Sequence, residues 1–384
     1  MARPGHARQA RRRESALAQG AGTTYSRGLP YKPWLSIVDF ARIRGGKGEF
    51  DMRSRTPWAR VIIVSYQSAG LLQRCIDALG RQTLADFEAV IVDNASRDGS
   101  IEALRLPDDR FRVHRAGANL GFAAASNLGA RDCATAWIAM LNPDAEPGTT
   151  WLEELRRATL RHQHACMFGS TQIDAKHPDR VDGFGDVYSI FGTAWRGASG
   201  SAVTLLPDED REVFAPCAAG ALYARETFQE AGGFDETFFC YLEDVDLGFR
   251  LRLRGEHCVQ VRNAEIAHVG SAIAGRDSEF FIWHSQRNRI WVMAKNIPSP
   301  LVWLVLALQL VVAPLVLLRR GRARWPTAFK GMVAGMRALP RAWQSRRKVQ
   351  SERTLSNSEV AQLLVWDPRK ALKRTPHFLS LIHI

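Results

Sequence analysis

No G-x-x-x-x-G-K-[ST] occurs anywhere in the 384 residues, and no G-x-G-x-x-G follows the first apolar run. The usual P-loop and dinucleotide fingerprints are therefore missing. There is no G-x-S-x-G elbow, and no order of Ser, His and Asp stands out as a triad. The six cysteines (Cys75, Cys133, Cys166, Cys217, Cys240 and Cys258) are widely spaced, with no C-x-x-C pair. That argues against a zinc knuckle or a disulfide framework and fits a reducing compartment. The Arg-rich start has no apolar h-region behind it, so no secretory signal is expected. No internal repeat is found.

What is present is unevenly distributed. The net charge of +13 comes from the flanks: 13 Lys and Arg against 4 Asp and Glu in residues 1–60, and 15 against 3 in 319–384. The middle, 61–318, has 24 against 32 and is acidic. Basic flanks suit an anionic membrane surface, whereas an acidic centre is a poor nucleic-acid groove, so no nucleic-acid partner is expected.

Residues 1–57 lack sustained periodicity and read as a basic, largely flexible lead, with a short ordered piece around Trp34 to Val38. Val61-Ile62-Ile63-Val64 then has the pattern of a buried parallel strand. An amphipathic helix follows, with Leu71, Leu72, Cys75, Ile76 and Leu79 on one face, and then a second buried strand from Phe87 to Val92. Further strands are predicted at Phe111 to His114 and Trp137 to Leu141, and helices over Ala123 to Arg131 and 151–162. Residues 165–225 read as short strands and loops, irregular at Gly183, Gly185, Gly192 and Gly197. Two short strands are expected at 257–261 and 264–268. The alternation implies an α/β sheet, with polar residues at strand C-termini where such sheets bind ligands.

The chain is organised around FDETFFCYLEDVDLGFRLRLRG, from Phe234 to Gly255. Acids at a helix start complement the helix dipole, which accounts for Glu243, Asp244 and Asp246 without any function. Spacing separates them. Asp246 can pair with Arg250 one turn on as a surface brace, and Asp244 points away from the face shared by Glu243 and Asp246. A carboxylate so placed could serve as a general base. Asp93 and Asp144 are equally two-sided. Each fits a turn acid, and each could serve a ligand: Asp93 a ribose or base, Asp144 a hard cation. His268 reads as a structural histidine on its own.

VIIVSYQSAGLLQRCIDALGRQTLADFEAVIVDNASRDGS, NLGFAAASNLGA, the Asn142-Pro143-Asp144 turn, GALYARETFQEAGGFDETFFCYLEDVDLGFRLRLRG and His268 occur in that order. Together they resemble a family 2 glycosyltransferase of its rhamnosyltransferase-like branch over roughly residues 58–296. The resemblance implies the GT-A nucleotide-diphospho-sugar transferase fold, a mixed, mostly parallel sheet flanked by helices, here with a C-terminal hydrophobic helical segment. It also implies site roles. Ser65, Tyr66 and Asp93 would line the nucleoside pocket, and Asn119, Gly121 and Asn127 would lie along the donor, with Asn142 near it. Asp144, at the D-x-D position, and His268 would hold Mg2+ or Mn2+. Asp244 would be the base and Glu243 would help position the acceptor.

Two departures from the pattern stand out: Asn142 replaces the first acid of D-x-D, and Gln67 stands where Asn is common. Gln286-Arg287-Asn288-Arg289-Ile290-Trp291 approaches the Q-x-x-R-W of processive synthases, but Ile290 interrupts it, and an amphipathic covering helix is the expected reading. One carboxylate without a nucleophile implies inversion.

Leu301 to Leu318 is apolar except for Gln309 and contains Pro314. Eighteen residues at ~1.5 Å each give ~27 Å, the short end for a crossing. The basic residues from Arg319 onward disfavour a simple span, and a re-entrant or interfacial placement is expected, on the cytoplasmic face. Residues 297–322 are thus expected as a membrane-associating segment and 323–384 as a basic tail, with 378–384 fitting no element. The overall expectation is an enzyme taking a sugar from a nucleoside-diphosphate donor, with dTDP-rhamnose one candidate, to a glycan or lipid-linked acceptor of the cell envelope. The rival donor is a UDP-hexose. The rival from another class is a catalytically idle, sugar-nucleotide-binding membrane adaptor.

Overall fold

The computed structural model describes residues 56–270, 278–319 and 322–379, without the side chains of 310, 311, 313–319 and 322. The expected lead over 1–57, including Trp34 to Val38, lies almost wholly outside these residues. The run at 61–64 is the middle of β1 (Ala59–Ser65), buried along its whole length. Apolar residues on both of its faces require a sheet covered on both sides. β1 pairs in parallel with β2 (Phe87–Asp93) and with β4 (Trp137–Leu141), and β2 with β3 (Phe111–Arg115). The chain therefore steps outward from β1 to β3 and returns past β1 to β4. Such a reversal opens a crevice beyond the strand C-termini.

Helix α1 (Leu71–Gly80) buries Leu72, Cys75, Ile76 and Leu79, and α3 (Trp151–Arg161) covers the same face of the sheet through Trp151, Leu152 and Leu155. The opposite face is covered by α2 (Gly121–Ala130), α4 (Arg225–Glu230) and α5 (Glu243–Leu253).

The other half of the sheet is mixed. β11 (Gly220–Ala224) runs antiparallel to both β4 and β6 (Ala165–Asp174), and β12 (His257–His268) runs parallel to β6. The two strands expected at 257–261 and 264–268 are one strand, with a register shift between Val261 and Glu265 that breaks its sequence pattern. β5 (Ala145–Pro147), β7 (Val181–Gly183) and β10 (Arg211–Glu212) complete the ten strands; β8 (Asp186–Tyr188) and β9 (Ala194–Arg196) form a separate hairpin. The glycines of this irregular stretch permit close contact: Gly185, at φ +72°, would bring a Cβ within 2.6 Å of Val213.

The region expected as a basic tail is folded. After α6 (Glu279–Asn296) come α7 (Leu301–Arg319), α8 (Trp325–Arg337), α9 (Leu339–Ser351), α10 (Asn357–Leu363) and α11 (Pro368–Lys373). Its arginines conceal an apolar seam. Ala328, Gly331 and Gly335 are the buried side of α8, and Cβ atoms at the two glycines would lie 2.5 Å from the Trp283 carbonyl and 2.9 Å from that of Arg287. Phe378 packs edge-on against Phe184, and the Leu379 amide donates to the Glu212 carbonyl, so these two residues do belong to the fold. Among the described residues no helix is long and apolar enough to cross a membrane. Much of 301–318 falls outside them as side chains. In its described part, Val302 and Val305 are buried and the Gln309 amide donates to the Phe191 carbonyl.

Asp246 is fully buried, not a surface brace. It accepts from Arg250 (2.8 Å), Lys295 (2.9 Å) and Asn296 (2.8 Å), while Lys295 also reaches Asp235 at 2.6 Å. Arg250 further donates to the carbonyls of Ala231 and Gly233. The Gly-Gly-Phe-Asp turn, α5 and α6 are thereby joined by one ionic network. Burial alone would raise the Asp235 carboxyl, but Lys295, Thr237 and Arg250 hold it at about 2. Its folded value is depressed, so its contribution to stability is present above about pH 4 and is lost as the pH falls toward 2. Asp235→Asn should cost about 2 kcal/mol at neutral pH in urea unfolding, with variant and wild type converging near pH 2. An undiminished gap in acid would show that Asp235 acts through packing alone.

Candidate active site

Ser65 and Asp93 end paired strands in register, which sets them side by side at the crevice with Tyr66 next in the chain. Ser65 Oγ is buried with no protein partner among the described residues. Asp93 accepts from the Ser96 amide at 2.9 Å, so one oxygen serves the turn. Asn119 joins this group through Asn94, whose side-chain amide donates to it at 2.8 Å. Gly121 sits at φ +81°, and a Cβ there would meet the Phe239 ring and carbonyl at 2.5 Å. Its role is close packing of α2 against the loop before α5. Asn127 is not brought to the crevice. Its side chain donates to the Phe234 carbonyl (2.8 Å) and accepts from the Phe234 amide (2.9 Å), which commits it to bracing the turn.

Asp144 and His268 do meet. Asp144 Oδ1 is 3.3 Å from His268 Nε2, and Asn142 Nδ2 is 3.5 Å from the same nitrogen. β5 pairs with the end of β12, placing Ala145 opposite His268, which explains how residues so distant in sequence converge. The other ring nitrogen is 2.8 Å from Asp182 Oδ2, and Arg196 pairs with Asp182 in turn. Burial would lower the His268 pKa, but hydrogen bonds to Asp144 and Asp182 outweigh it and raise the value. A carboxylate on one ring nitrogen orients the other toward a cation, and a carboxylate oxygen plus an imidazole nitrogen suits a divalent ion. The side chains of Asp144 and His268 therefore fit a metal, and rotation of the Asn142 amide would add an oxygen.

Asp244, Asp186 and Cys217 form a second cluster, with ligand atoms all within 4.8 Å of one another. Asp244 is half-buried in the first turn of α5 and accepts from the Ala218 amide (3.0 Å) and the Val245 amide (2.8 Å). Burial, then the charge of Asp244, push the carboxyls of Asp186 and Glu243 well above the usual range. Burial raises the Cys217 thiol to about 12. Glu243 Oε2 has no partner among the described residues.

The segment around Gln286 is not a covering helix with one apolar face. Asn288 is fully buried, and its single NH2 faces the carbonyls of Phe238 (3.1 Å), Cys240 (2.9 Å) and Tyr241 (2.7 Å). Arg287, flanked by the rings of Trp283 and Trp291, donates to the carbonyls of Thr237 and Phe238. The loop they hold contains Phe239, Tyr241 and Leu242 at φ 65°, 71° and 67°. Side-chain-bearing residues in that region cost about 1–3 kcal/mol each and persist only when their surroundings impose them. Thus α6 fixes the loop that delivers Asp244. Sequence reasoning missed Asp182, Asp186, Arg196, Cys217, Arg287 and Asn288. The acids of Asp182-Gly-Phe-Gly-Asp186 were the available signal, passed over for their glycines.

The model of the glycosyl transferase family 2 family matches residues 60–199. The N-acetylglucosaminyl-diphospho-decaprenol L-rhamnosyltransferase of Mycobacterium tuberculosis (strain CDC 1551 / Oshkosh) is 30% identical over 240 residues, covering 56% of this chain and 78% of its own. A validoxylamine A glucosyltransferase of Streptomyces hygroscopicus subsp. jinggangensis (strain 5008) is 34% identical over 53% of both chains. The crystal structure of GalNAc-T7 with UDP, GalNAc and Mn2+ shares the fold at TM-score 0.52 and 15% identity. It aligns over 64% of this chain, which spans about half of that one (49%). On sequence and fold together, the chain belongs to glycosyltransferase family 2, is a glycosyltransferase of GT-A fold, and is rhamnosyltransferase-like.

Proposed function

We propose that the protein transfers a sugar, with L-rhamnose the leading candidate, from a nucleoside-diphosphate donor to a hydroxyl of a lipid-linked or cell-envelope glycan, inverting the anomeric centre. The observation that carries this reading is Asp244, the half-buried carboxylate of its cluster, presented by a loop that α6 holds in place. L-Rhamnose and a diphospho-lipid acceptor are carried over from the name of the mycobacterial relative.

Asp244 removes the proton of the acceptor hydroxyl, whose oxygen attacks the anomeric carbon as the nucleoside diphosphate departs. Cys217, its thiol held protonated by burial, is no nucleophile. One displacement therefore occurs, and one displacement inverts. Glu243, buried beside the base, orients the acceptor hydroxyl. Ser65, Tyr66 and Asp93 receive the nucleoside, and Asn119 borders the donor. A divalent cation, Mg2+ or Mn2+, would be held by Asp144 and His268, where it would neutralise charge on the departing diphosphate. In this reading the reaction takes place at the cytoplasmic face of the membrane, where a lipid-linked acceptor presents its head group.

Donor hydrolysis and transfer, measured with Mg2+ or Mn2+ across UDP-, GDP- and dTDP-sugars, test the reading. One donor should be consumed, and Asp244→Asn should lower turnover by about 10²–10⁴-fold with donor affinity preserved. Turnover within tenfold of wild type in that variant would remove Asp244 as the base. Selective use of a UDP-hexose would replace rhamnose by the sugar of that donor.

Loss of the Asn288 amide takes from the carbonyls of Cys240 and Tyr241 the buried donor they face, and small displacements of a reacting group are costly. Asn288→Ala should therefore lower kcat by about 10–100-fold while the donor KM stays within about twofold. A fall in melting temperature with unchanged kcat would make Asn288 a stabilising residue only.

A further inference from the structure

The sequence between 322 and 351 contains eight Lys and Arg and no Asp or Glu. One of these cations, Arg346, is buried and donates to the carbonyls of Ala294 and Ile297. Others lie on the outer side of α8. Phe329, Lys330, Val333, Met336 and Arg337 recur at three- and four-residue steps, which on a helix form one stripe. Phe329 is 57% exposed and Met336 49%, Lys330 and Arg337 are exposed, and Val333 is half-buried. Arg341 is exposed at the start of the next helix. The opposite side of α8 is the small-residue seam against α6, so this outer stripe is the face that no other element covers among the described residues. On α7, Trp303 (58%) and Leu304 (44%) are exposed as well.

We propose that the outer face of α8, an apolar stripe edged by cations, seats the protein on an anionic lipid surface. Two observations select lipid. The cations stand in a stretch of chain without acids, which is complementary to anionic head groups. Exposed Phe329 and Met336 stand among them, and these side chains gain by entering the acyl boundary, whereas phosphate contacts with a nucleic acid leave them in water.

The proposal deepens the lipid-linked acceptor reading and says how that acceptor would be met. Thr327, in the first turn of α8, donates to Glu279 at the start of α6 (3.3 Å). Phe280, the next residue, packs edge-on against Phe239 (6.2 Å) and Tyr241 (6.1 Å) of the loop that precedes Asp244. The seam at Gly331 and Gly335 fixes α8 to the segment of α6 that holds this loop. The lipid-facing helix and the catalytic loop are therefore two sides of one helix pair, and the base stays in fixed relation to the surface carrying its acceptor.

The test is flotation of the full chain with vesicles of phosphatidylcholine alone and of phosphatidylcholine with phosphatidylglycerol. The wild type should float with the anionic vesicles and not with the neutral ones. Phe329→Asp with Met336→Asp should weaken partitioning by at least about tenfold. Lys330→Glu with Arg337→Glu should weaken it by at least about fivefold per charge, in a salt-dependent way. Both double variants should hydrolyse donor at the wild-type rate, since none of the four residues lies in the site. Flotation of either double variant within twofold of wild type would overturn the proposal. Retention of a short RNA in preference to anionic vesicles would overturn it too. Vesicle binding without turnover of any sugar nucleotide would leave this surface standing and remove the catalytic reading. Turnover without vesicle binding would do the reverse.

Discussion

Lys295 sits between two buried carboxylates, and the geometry of the candidate site depends on that arrangement. Its ammonium bridges Asp235 in the turn after α4 and Asp246 in α5, from a position near the end of α6. A buried ion is tolerated when its partners and hydrogen bonds are complete, and here Arg250, Asn296 and Thr237 complete them. Removing one member leaves uncompensated charge, so the three elements keep their spacing together or lose it together. Because the network is specific in direction as well as in energy, it fixes which side of α5 faces the core and therefore which side carries Asp244.

Upon that anchor rests a loop that local propensity would not form. Three side-chain-bearing residues with positive φ fall within four positions, and the side-chain amide of Asn288 and the guanidinium of Arg287 reach the carbonyls of this loop from Thr237 to Tyr241. Gly121 completes the arrangement from the other side, since any side chain there would collide with Phe239. The strain is local and its support comes from a helix about fifty residues further along the chain. The cluster around His268 is built the same way. Asp144 arrives on the turn after β4, His268 at the end of β12 and Asp182 on β7.

The parallel half of the sheet was legible because each strand there is apolar throughout and each helix between them carries a clean stripe, as in Val61 to Val64 and in α1. The strand ends were legible for the same reason, and with them the register that sets Ser65 beside Asp93. Asp246 was misread because i,i+4 spacing to Arg250 looks the same on a surface as in a core; what separates the two is Lys295, which no local pattern connects to it. Asn127 was misplaced because a resemblance assigns a residue to a region, whereas its two hydrogen bonds to Phe234 assign it to a turn. The C-terminal helices were hidden by their charge. Their packing relies on Ala328, Gly331 and Gly335, small residues that carry little hydrophobic signal although they allow the closest approach.

The last described residues also close the hairpin that holds Asp186 and Arg196. Val365 bridges beside Ser189, the Trp195 indole donates to the Thr375 carbonyl, and Leu379 pairs with Glu212. The hairpin is thus a clasp fastened from far along the chain. Whatever loosens residues 365–379 loosens the seat of Asp186 and Arg196, while the ten strands of the main sheet keep their pairing.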